Sequence, residues 1–169
     1  MDSNNLMQAL YAMNWERINA ELNAGADVNA PYNQHGWTPF MWACREFYEP
    51  EAIEAFLAAG GDVNSRNQYE ETPFIIAAKH RGSPQTLSVL LKAGANINAQ
   101  DKFDNTAFVH IVKHPQAMMR LQVLDFMIDN GANPNIKNKY GKTVWDYAVE
   151  QDGLTDYLCV RLLEEKSDE

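Results

Sequence analysis

Short apolar segments along the chain each end at a glycine. Leu87, Leu90 and Leu91 precede Gly94, for example, and their spacing places them on one face of a helix. Glycine is the residue best able to end a helix in the left-handed conformation. The pattern therefore predicts helices that end at Gly25, Gly60, Gly94 and Gly131.

A polar segment follows each glycine and leads to the start of the next helix. Its Asp/Asn-Val/Ile-Asn sequence favours an extended, turn-rich backbone, because Asn and Asp bond their own main chain. Threonines then cap the next helices at Thr38, Thr72, Thr106 and Thr143. Between each threonine and the next glycine lie 21 to 24 residues, enough for two short antiparallel helices. Breaks between the two are expected at Glu49-Pro50, Gly82-Ser83-Pro84 and His114-Pro115.

These signals recur at a nearly fixed period. The glycine steps are 35, 34 and 37 residues and the threonine steps 34, 34 and 37, which indicates a repeat architecture. The predicted boundaries within a single domain, 1–169, are an N-terminal capping repeat at 1–24, internal repeats at 25–59, 60–93 and 94–130, a C-terminal capping repeat at 131–163 and a frayed tail at 164–169.

The repeated residues resemble the ankyrin repeat family, which carries Thr-Pro-Leu-His and Gly-Ala-Asp-Val-Asn at matching offsets. The resemblance extends from Asn4 to Leu163. It implies an all-α repeat solenoid of about five stacked repeats, each a β-turn or hairpin plus two antiparallel helices. This sequence departs from the family where the histidine is replaced, by Met41, Ile75, Val109 and Asp146.

Composition narrows the classes of partner and compartment. With 14 basic against 23 acidic residues, the net charge of −9 argues against a general nucleic-acid binder. We expect no signal peptide and no membrane span. Cys44 and Cys159 are both expected to be buried and too far apart to pair, which favours a reducing compartment such as the cytoplasm. Export without a cleavable signal remains an alternative.

An aromatic column lies three residues before each threonine and provides the first candidate site. Aromatic side chains at exposed turn tips are frequent interface anchors, so we predict that these residues bind a partner. The alternative is local packing against neighbouring hairpins. The column, with the adjacent Trp37, consists of His35, Trp37, Tyr69, Phe103 and Tyr140.

A second column, seven residues after each threonine, contains Arg45, Lys79 and Lys113. If the first helices line a concave groove, as the resemblance implies, these residues form its floor together with Trp42. The cations would suit an acidic or phosphorylated segment. The alternative is that they are ordinary solvated cations near helix C-termini.

No pattern of catalytic residues stands out. The sequence lacks a nucleophile paired with a base, paired carboxylates in a pocket context and a phosphate-binding glycine loop. His80, His110 and His114 offer ligands for a zinc site, but no Cys or carboxylate is spaced to complete it, so we assign these histidines no role. A further group is interpreted as turn formers rather than calcium ligands, namely Asp27, Asn29, Asp62, Asn64, Asn98 and Asn135.

The sequence therefore predicts a non-catalytic, monomeric module without cofactor that binds another protein through its groove and hairpin tips. Three alternatives stay open. One is a regulatory or inhibitory subunit, or an exported effector, that blocks a partner's active site. Another is an enzyme with a pocket between hairpins, and the third is a small homo-oligomer.

Overall fold

The computed structural model describes residues 3–80, 82–114 and 117–164, and these residues form an all-helical protein. Within them an isolated bridge between Gln100 and Thr106 occurs, but no strand. A 3₁₀ turn, Ala117–Arg120, precedes α8. The helices are α1 Ser3–Tyr11, α2 Trp15–Asn23, α3 Pro39–Glu46, α4 Pro50–Ala58, α5 Pro73–Lys79, α6 Pro84–Lys92, α7 Ala107–Val112, α8 Leu121–Asp129, α9 Val144–Ala148 and α10 Leu154–Glu164.

The predicted threonine caps are confirmed. The hydroxyls of Thr38, Thr72 and Thr106 each accept the backbone N–H three residues on, at 3.1, 3.3 and 3.3 Å. Thr143 differs, because its N–H and its hydroxyl both donate to the carboxylate of Asp146, at 2.7 and 2.8 Å. Asp146 stands at one of the positions where the family's histidine is replaced. The start of α9 is therefore stabilised by the Asp146 carboxylate.

The glycine helix ends are also confirmed. At the end of α4, Gly60 has φ of +90°, and its N–H donates to the Leu57 carbonyl at 2.9 Å. The next N–H, of Gly61, reaches back to the Phe56 carbonyl at 2.9 Å. This pair of bonds satisfies carbonyls that the helix itself leaves unpaired. Equivalent bonds end α2, α6 and α8.

Proline opens the second helix of a repeat at two of the three expected breaks. Pro50 begins α4 and Pro84 begins α6. The third, Pro115, lies outside the described residues. Here α8 begins at Leu121, after the 3₁₀ turn, so this repeat takes up its additional residues before its second helix.

The chain divides into two compact units, 1–96 with α1 to α6 and 97–169 with α7 to α10. Fully buried phenylalanines, Phe40 and Phe56, stack in the core of the first unit with ring centroids 6.4 Å apart. The second unit buries Phe108, Leu124 and Leu158. Three of the residues that replace the family's histidine, Met41, Ile75 and Val109, are core residues, since each is at most 1% exposed.

Asparagine side chains join consecutive repeats inside each unit. Asn29 Nδ2 donates to the Gly60 carbonyl, and its Oδ1 accepts the Asp62 N–H, both at 2.8 Å. Asn64 and Asn98 likewise reach the glycine carbonyl of the following repeat, each at 3.2 Å. These three asparagines lie in turns or bends, as interpreted, but their side chains bond the following repeat and not their own main chain. Asp27 and Asp62 instead accept N–H groups of their own turns.

The cysteine prediction is half right. Cys44 is buried in α3, and burial raises the pKa of its thiol, but Cys159 is exposed on α10. That helix buries Leu154 and Leu158, and the residue after Leu158 turns away from this face. Among the described residues no helix is long and apolar enough to cross a bilayer.

Candidate functional site

Each repeat connection contains a turn built around one Asn or Asp side chain. Oδ1 of Asn67 accepts hydrogen bonds from the backbone N–H groups of Tyr69, at 2.8 Å, and Glu71, at 3.1 Å. Short polar side chains stabilise turns in this way. The same two bonds, to the residues two and four positions on, form at Asn33, Asp101 and Asn138. The tip residue is the one two positions after each Asn or Asp. Its backbone N–H is thus held by that side chain.

These four Asn and Asp residues were missed by the sequence analysis, although a signal was present. They recur at steps of 34, 34 and 37 residues, the period of the threonines. The residue three positions after each has a left-handed backbone. Its φ is +70° at Gly36, +56° at Glu70, +59° at Asp104 and +71° at Gly141. Glycine adopts this conformation easily, whereas Glu70 and Asp104 are strained by it.

The tips of the first unit pack against each other. The rings of His35 and Tyr69 stack at 29°, with centroids 6.1 Å apart, and both residues are half-buried. The N–H of Gln68 donates to the His35 carbonyl at 3.0 Å, and its side chain contacts His35 Nδ1. Trp37 is also half-buried, with the Arg45 guanidinium carbon 5.9 Å from its ring centroid. Local packing therefore accounts for part of this aromatic surface.

The tips of the second unit are open to solvent. Phe103 is 42% exposed and Tyr140 is 70% exposed. The N–H of Lys139 donates to the Phe103 carbonyl at 3.0 Å, so one turn supports the next through its backbone. Lys102 Nζ lies 5.0 Å from the centroid of the Phe103 ring, within range of a cation–π interaction. This unit presents the aromatic surface that the column predicts.

The three predicted cations have different surroundings. In the first unit Arg45 is exposed, whereas Lys79 Nζ lies 2.8 Å from Oε1 of Glu71, a carboxylate that is only 6% exposed. Lys79, whose side chain is 39% exposed, is therefore paired with a buried carboxylate of the same chain. In the second unit Lys113 is exposed, and its Nζ lies 5.0 Å from the centroid of the Tyr147 ring.

Comparison with known proteins settles the family. The sequence profile described as ankyrin repeats (3 copies) matches residues 6–101 and 74–168, which together span nearly the whole chain. The chain belongs to the ankyrin-repeat family. No curated protein matches it significantly. Ankyrin repeats act in general as protein-interaction modules and are typically non-catalytic.

One residue predicted for the groove floor of these ankyrin repeats is a core residue instead. Trp42 is only 8% exposed. Its ring makes edge-to-face contacts with Tyr11, at 5.7 Å between centroids, and with Phe47, at 6.4 Å. The periodicity placed Trp42 on the first helix of its repeat, but it could not reveal that aromatic rings from two other segments cover it.

A histidine of the ankyrin repeats serves the turn. His110 Nε2 lies 2.7 Å from Oδ2 of Asp101, a partner that the sequence analysis did not find. Burial raises the pKa of Asp101, but hydrogen bonds from His110 and from the N–H groups of Phe103 and Asn105 outweigh it and hold the pKa below its usual value. Among the described residues, no group of three or more His, Cys, Asp or Glu side chains could hold a metal ion.

Proposed function

We propose that this chain binds a partner protein through its hairpin tips and the adjacent first helices of its repeats. The observation that carries the proposal is the repeated tip, in which one Asn or Asp side chain fixes the backbone of the residue that points outward. In the second unit that residue is a large aromatic, Phe103 or Tyr140, with much of its ring in solvent. Aromatic residues are enriched among the strongest contacts of protein interfaces.

The turn frame also lowers the entropic cost of binding. The N–H of each tip residue donates to the Asn or Asp side chain two positions before it. At two tips, His35 and Phe103, the carbonyl also accepts an N–H from the neighbouring turn, at 3.0 Å in both cases. A surface whose backbone is already ordered loses less conformational freedom when a partner docks. The tips therefore give this chain a pre-ordered surface that is suited to recognising a partner.

The exposed cations on and beside the first helices of the repeats indicate the charge of the partner segment. Arg45 and Lys113 are exposed, and each lies near an aromatic ring, of Trp37 and Tyr147 respectively. An acidic segment could contact the cation and the ring together. Lys79 lies 2.8 Å from the buried carboxylate of Glu71, so we do not assign it a part in binding. Arg45 also pairs with Glu46, but at the longer distance of 3.4 Å and with a carboxylate that is only partly buried.

The test removes the two open tips together. The Phe103→Ala/Tyr140→Ala variant is expected to lose partners captured by the wild-type chain from native cell extract, as quantified by mass spectrometry, while its melting temperature stays unchanged. Val160→Ala, another exposed apolar residue of the second unit at 55% exposure, is the matched control and should capture normally. Undiminished capture by the double variant would refute the proposal.

The partners captured in this experiment also allow a regulatory or inhibitory role to be tested. An assay of a captured enzyme with and without this chain shows whether binding inhibits it, as a regulatory subunit or effector would. We place the function in a reducing compartment such as the cytoplasm, which suits the unpaired, buried thiol of Cys44. We also propose a monomer, which light scattering tests.

A further inference from the structure

A cavity of about 370 Å³ opens in the first unit, away from the hairpin tips. It lies beside two helix connections. Met13 of the α1–α2 connection and Trp15, the first residue of α2, line one side, and Phe47 and Tyr48 of the α3–α4 connection line the other. Helix α3 starts beside a tip at Thr38 and has eight residues, so its far end is about 12 Å away along the axis. The cavity is at that far end.

Large apolar side chains are exposed around this cavity. Trp15 is 38% exposed, Met13 50% and Tyr48 56%. Phe47 is 8% exposed, and its ring meets the ring of Trp15 edge to face, with centroids 5.8 Å apart. Exposed apolar residues that are grouped around a depression, rather than scattered singly, mark interaction sites. The volume is at the lower end of the range for ligand pockets, so it suits one or two bulky side chains.

Met13 is 50% exposed and has a strained, left-handed backbone. Its φ is +49°, at the position after α1 where a glycine commonly stands, and its N–H donates to the Leu10 carbonyl at 2.9 Å. Glycine would adopt this conformation without strain. The long, flexible thioether that stands there instead can adapt to different apolar surfaces.

The rim of the cavity is acidic. Glu46, Glu49 and Glu51 line it, and within the described part of the chain no Lys or Arg does. Glu49 and Glu51 are exposed, whereas Glu46 pairs with its neighbour Arg45 at 3.4 Å. Carboxylates grouped beside an apolar depression attract cations and repel acidic partners, so they restrict which segment can dock.

We infer that this cavity binds a peptide segment in which a bulky apolar side chain is flanked by Lys or Arg. The apolar side chain would rest on Phe47 between Met13, Trp15 and Tyr48, and the flanking cations would face Glu49 and Glu51. This charge requirement is opposite to that proposed for Arg45 and Lys113. The inference therefore adds a second binding surface to the proposed function.

Selection from a display library of random peptides on the immobilised full chain tests the inference. Recovered peptides should carry a large apolar residue next to Lys or Arg, and fluorescence anisotropy then gives their affinity. Met13→Gly should weaken binding by about tenfold, the loss expected for one good apolar contact, without lowering the melting temperature. Retained stability separates loss of the contact from loss of the fold.

Charge is tested by Glu49→Gln/Glu51→Gln, with Glu54→Gln as the matched control, since Glu54 is an exposed residue of α4 outside the cavity lining. The double variant should bind about tenfold more weakly, and its affinity should change little as the ionic strength rises from about 0.1 to about 1 M. Glu54→Gln should match the wild type.

A direct reporter is the methyl signal of Met13 in a chain labelled at methionine methyl groups, assigned by its absence from Met13→Gly. It should shift when the peptide binds. The Phe103→Ala/Tyr140→Ala variant should bind the peptide normally, so the two proposals can fail separately. Selected peptides whose binding is unaffected by both cavity variants, or a selection that yields no peptide sensitive to them, would overturn the inference.

Discussion

The two units of this chain build the same turn but use it to present different surfaces. In the first unit, His35 and Tyr69 stack on each other and are half-buried. In the second, Phe103 and Tyr140 extend into solvent, at 42% and 70% exposure. A shared backbone frame therefore does not fix how available a tip is to a partner. The side chains around the frame decide that.

The difference extends to the residue nine positions after each turn-forming Asn or Asp. In the first unit this residue is apolar and buried, as Trp42 and Ile76. In the second unit it is polar, and its side chain forms a hydrogen bond with the turn-forming residue. His110 Nε2 lies 2.7 Å from Asp101 Oδ2, and the Tyr147 hydroxyl accepts from Asn138 Nδ2 at 2.8 Å. The second unit thus supports its exposed tips with hydrogen bonds beneath them, which makes those tips dependent on polar residues.

The largest effect is expected from removing the amide beneath the last turn. Asn138 is 5% exposed, accepts two N–H groups and donates at 2.8 Å to both Asn105 and Tyr147. Asn138→Ala should lower the free energy of unfolding by about 3 kcal/mol, because several buried partners lose their hydrogen bonds. Asn33→Ala, at a half-buried residue that accepts the N–H groups of His35 and Trp37, should cost less, about 1 kcal/mol. Urea denaturation measures both, and equal losses would contradict the comparison.

Acid should act on the second unit through Asp101. Since the folded-state pKa of Asp101 lies below its unfolded value, near 3.8, the ionised carboxylate stabilises the fold above that pH. The stabilisation is lost as the pH falls through the lowered folded-state pKa. Asp101→Asn should cost about 1 kcal/mol at neutral pH and nothing in strong acid, because it removes a charged hydrogen bond. Urea denaturation of both proteins from pH 7 downward measures this, and a cost that does not change with pH would contradict it.

Backbone strain distinguishes the units by a smaller amount. Both Glu70, in the first unit, and Asp104, in the second, have a left-handed backbone. Aspartate tolerates this conformation better than glutamate does. Glu70→Gly should therefore stabilise the protein by up to about 1 kcal/mol, and Asp104→Gly by less. Thermal melting of the two variants side by side measures the order, and a larger gain at Asp104 would reverse the expectation.

The smallest effect is expected at His80 in the first unit. His80 is exposed, but partial desolvation of its ring lowers its pKa, and the charges of Arg45 and Lys79 lower it further. A depressed histidine pKa means that the stability it contributes is present above the unfolded value of 6.5 and declines as the pH falls below it. His80→Gln should flatten the decline in melting temperature between about pH 7 and about pH 5. An unchanged slope would show that His80 is not responsible.

Much of the fold could be predicted because its signals are local. Thr38 caps the helix that it precedes, and Gly60 ends the helix that it follows, through bonds that span no more than five residues. The tip residues were also predictable as positions, since they recur with the same period. Their exposure was not predictable, because it depends on which ring or cation lies against each tip.

The cavity beside Met13 and Phe47 gave no periodic signal. Its lining comes from two segments that are one repeat period, 34 residues, apart but carry different residues, and one of them belongs to a terminal repeat that lacks the repeated signature. Likewise, Asn29 resembles a turn former in the sequence but bonds the following repeat. Such contacts join residues that are distant along the chain.

By itself, the sequence determined the repeat period, the family, the threonine starts of the first helices and the glycine ends of the second helices. The starts and ends are encoded locally because each follows from backbone chemistry within a few residues. Only the tertiary structure decided that Trp42 is a core residue, that Lys79 is paired with Glu71 and that Phe103 and Tyr140 are open. These outcomes depend on side chains that the folded chain brings together from separate helices and turns. Packing fills space and balances charge across those distances, and a repeating sequence signature does not encode it.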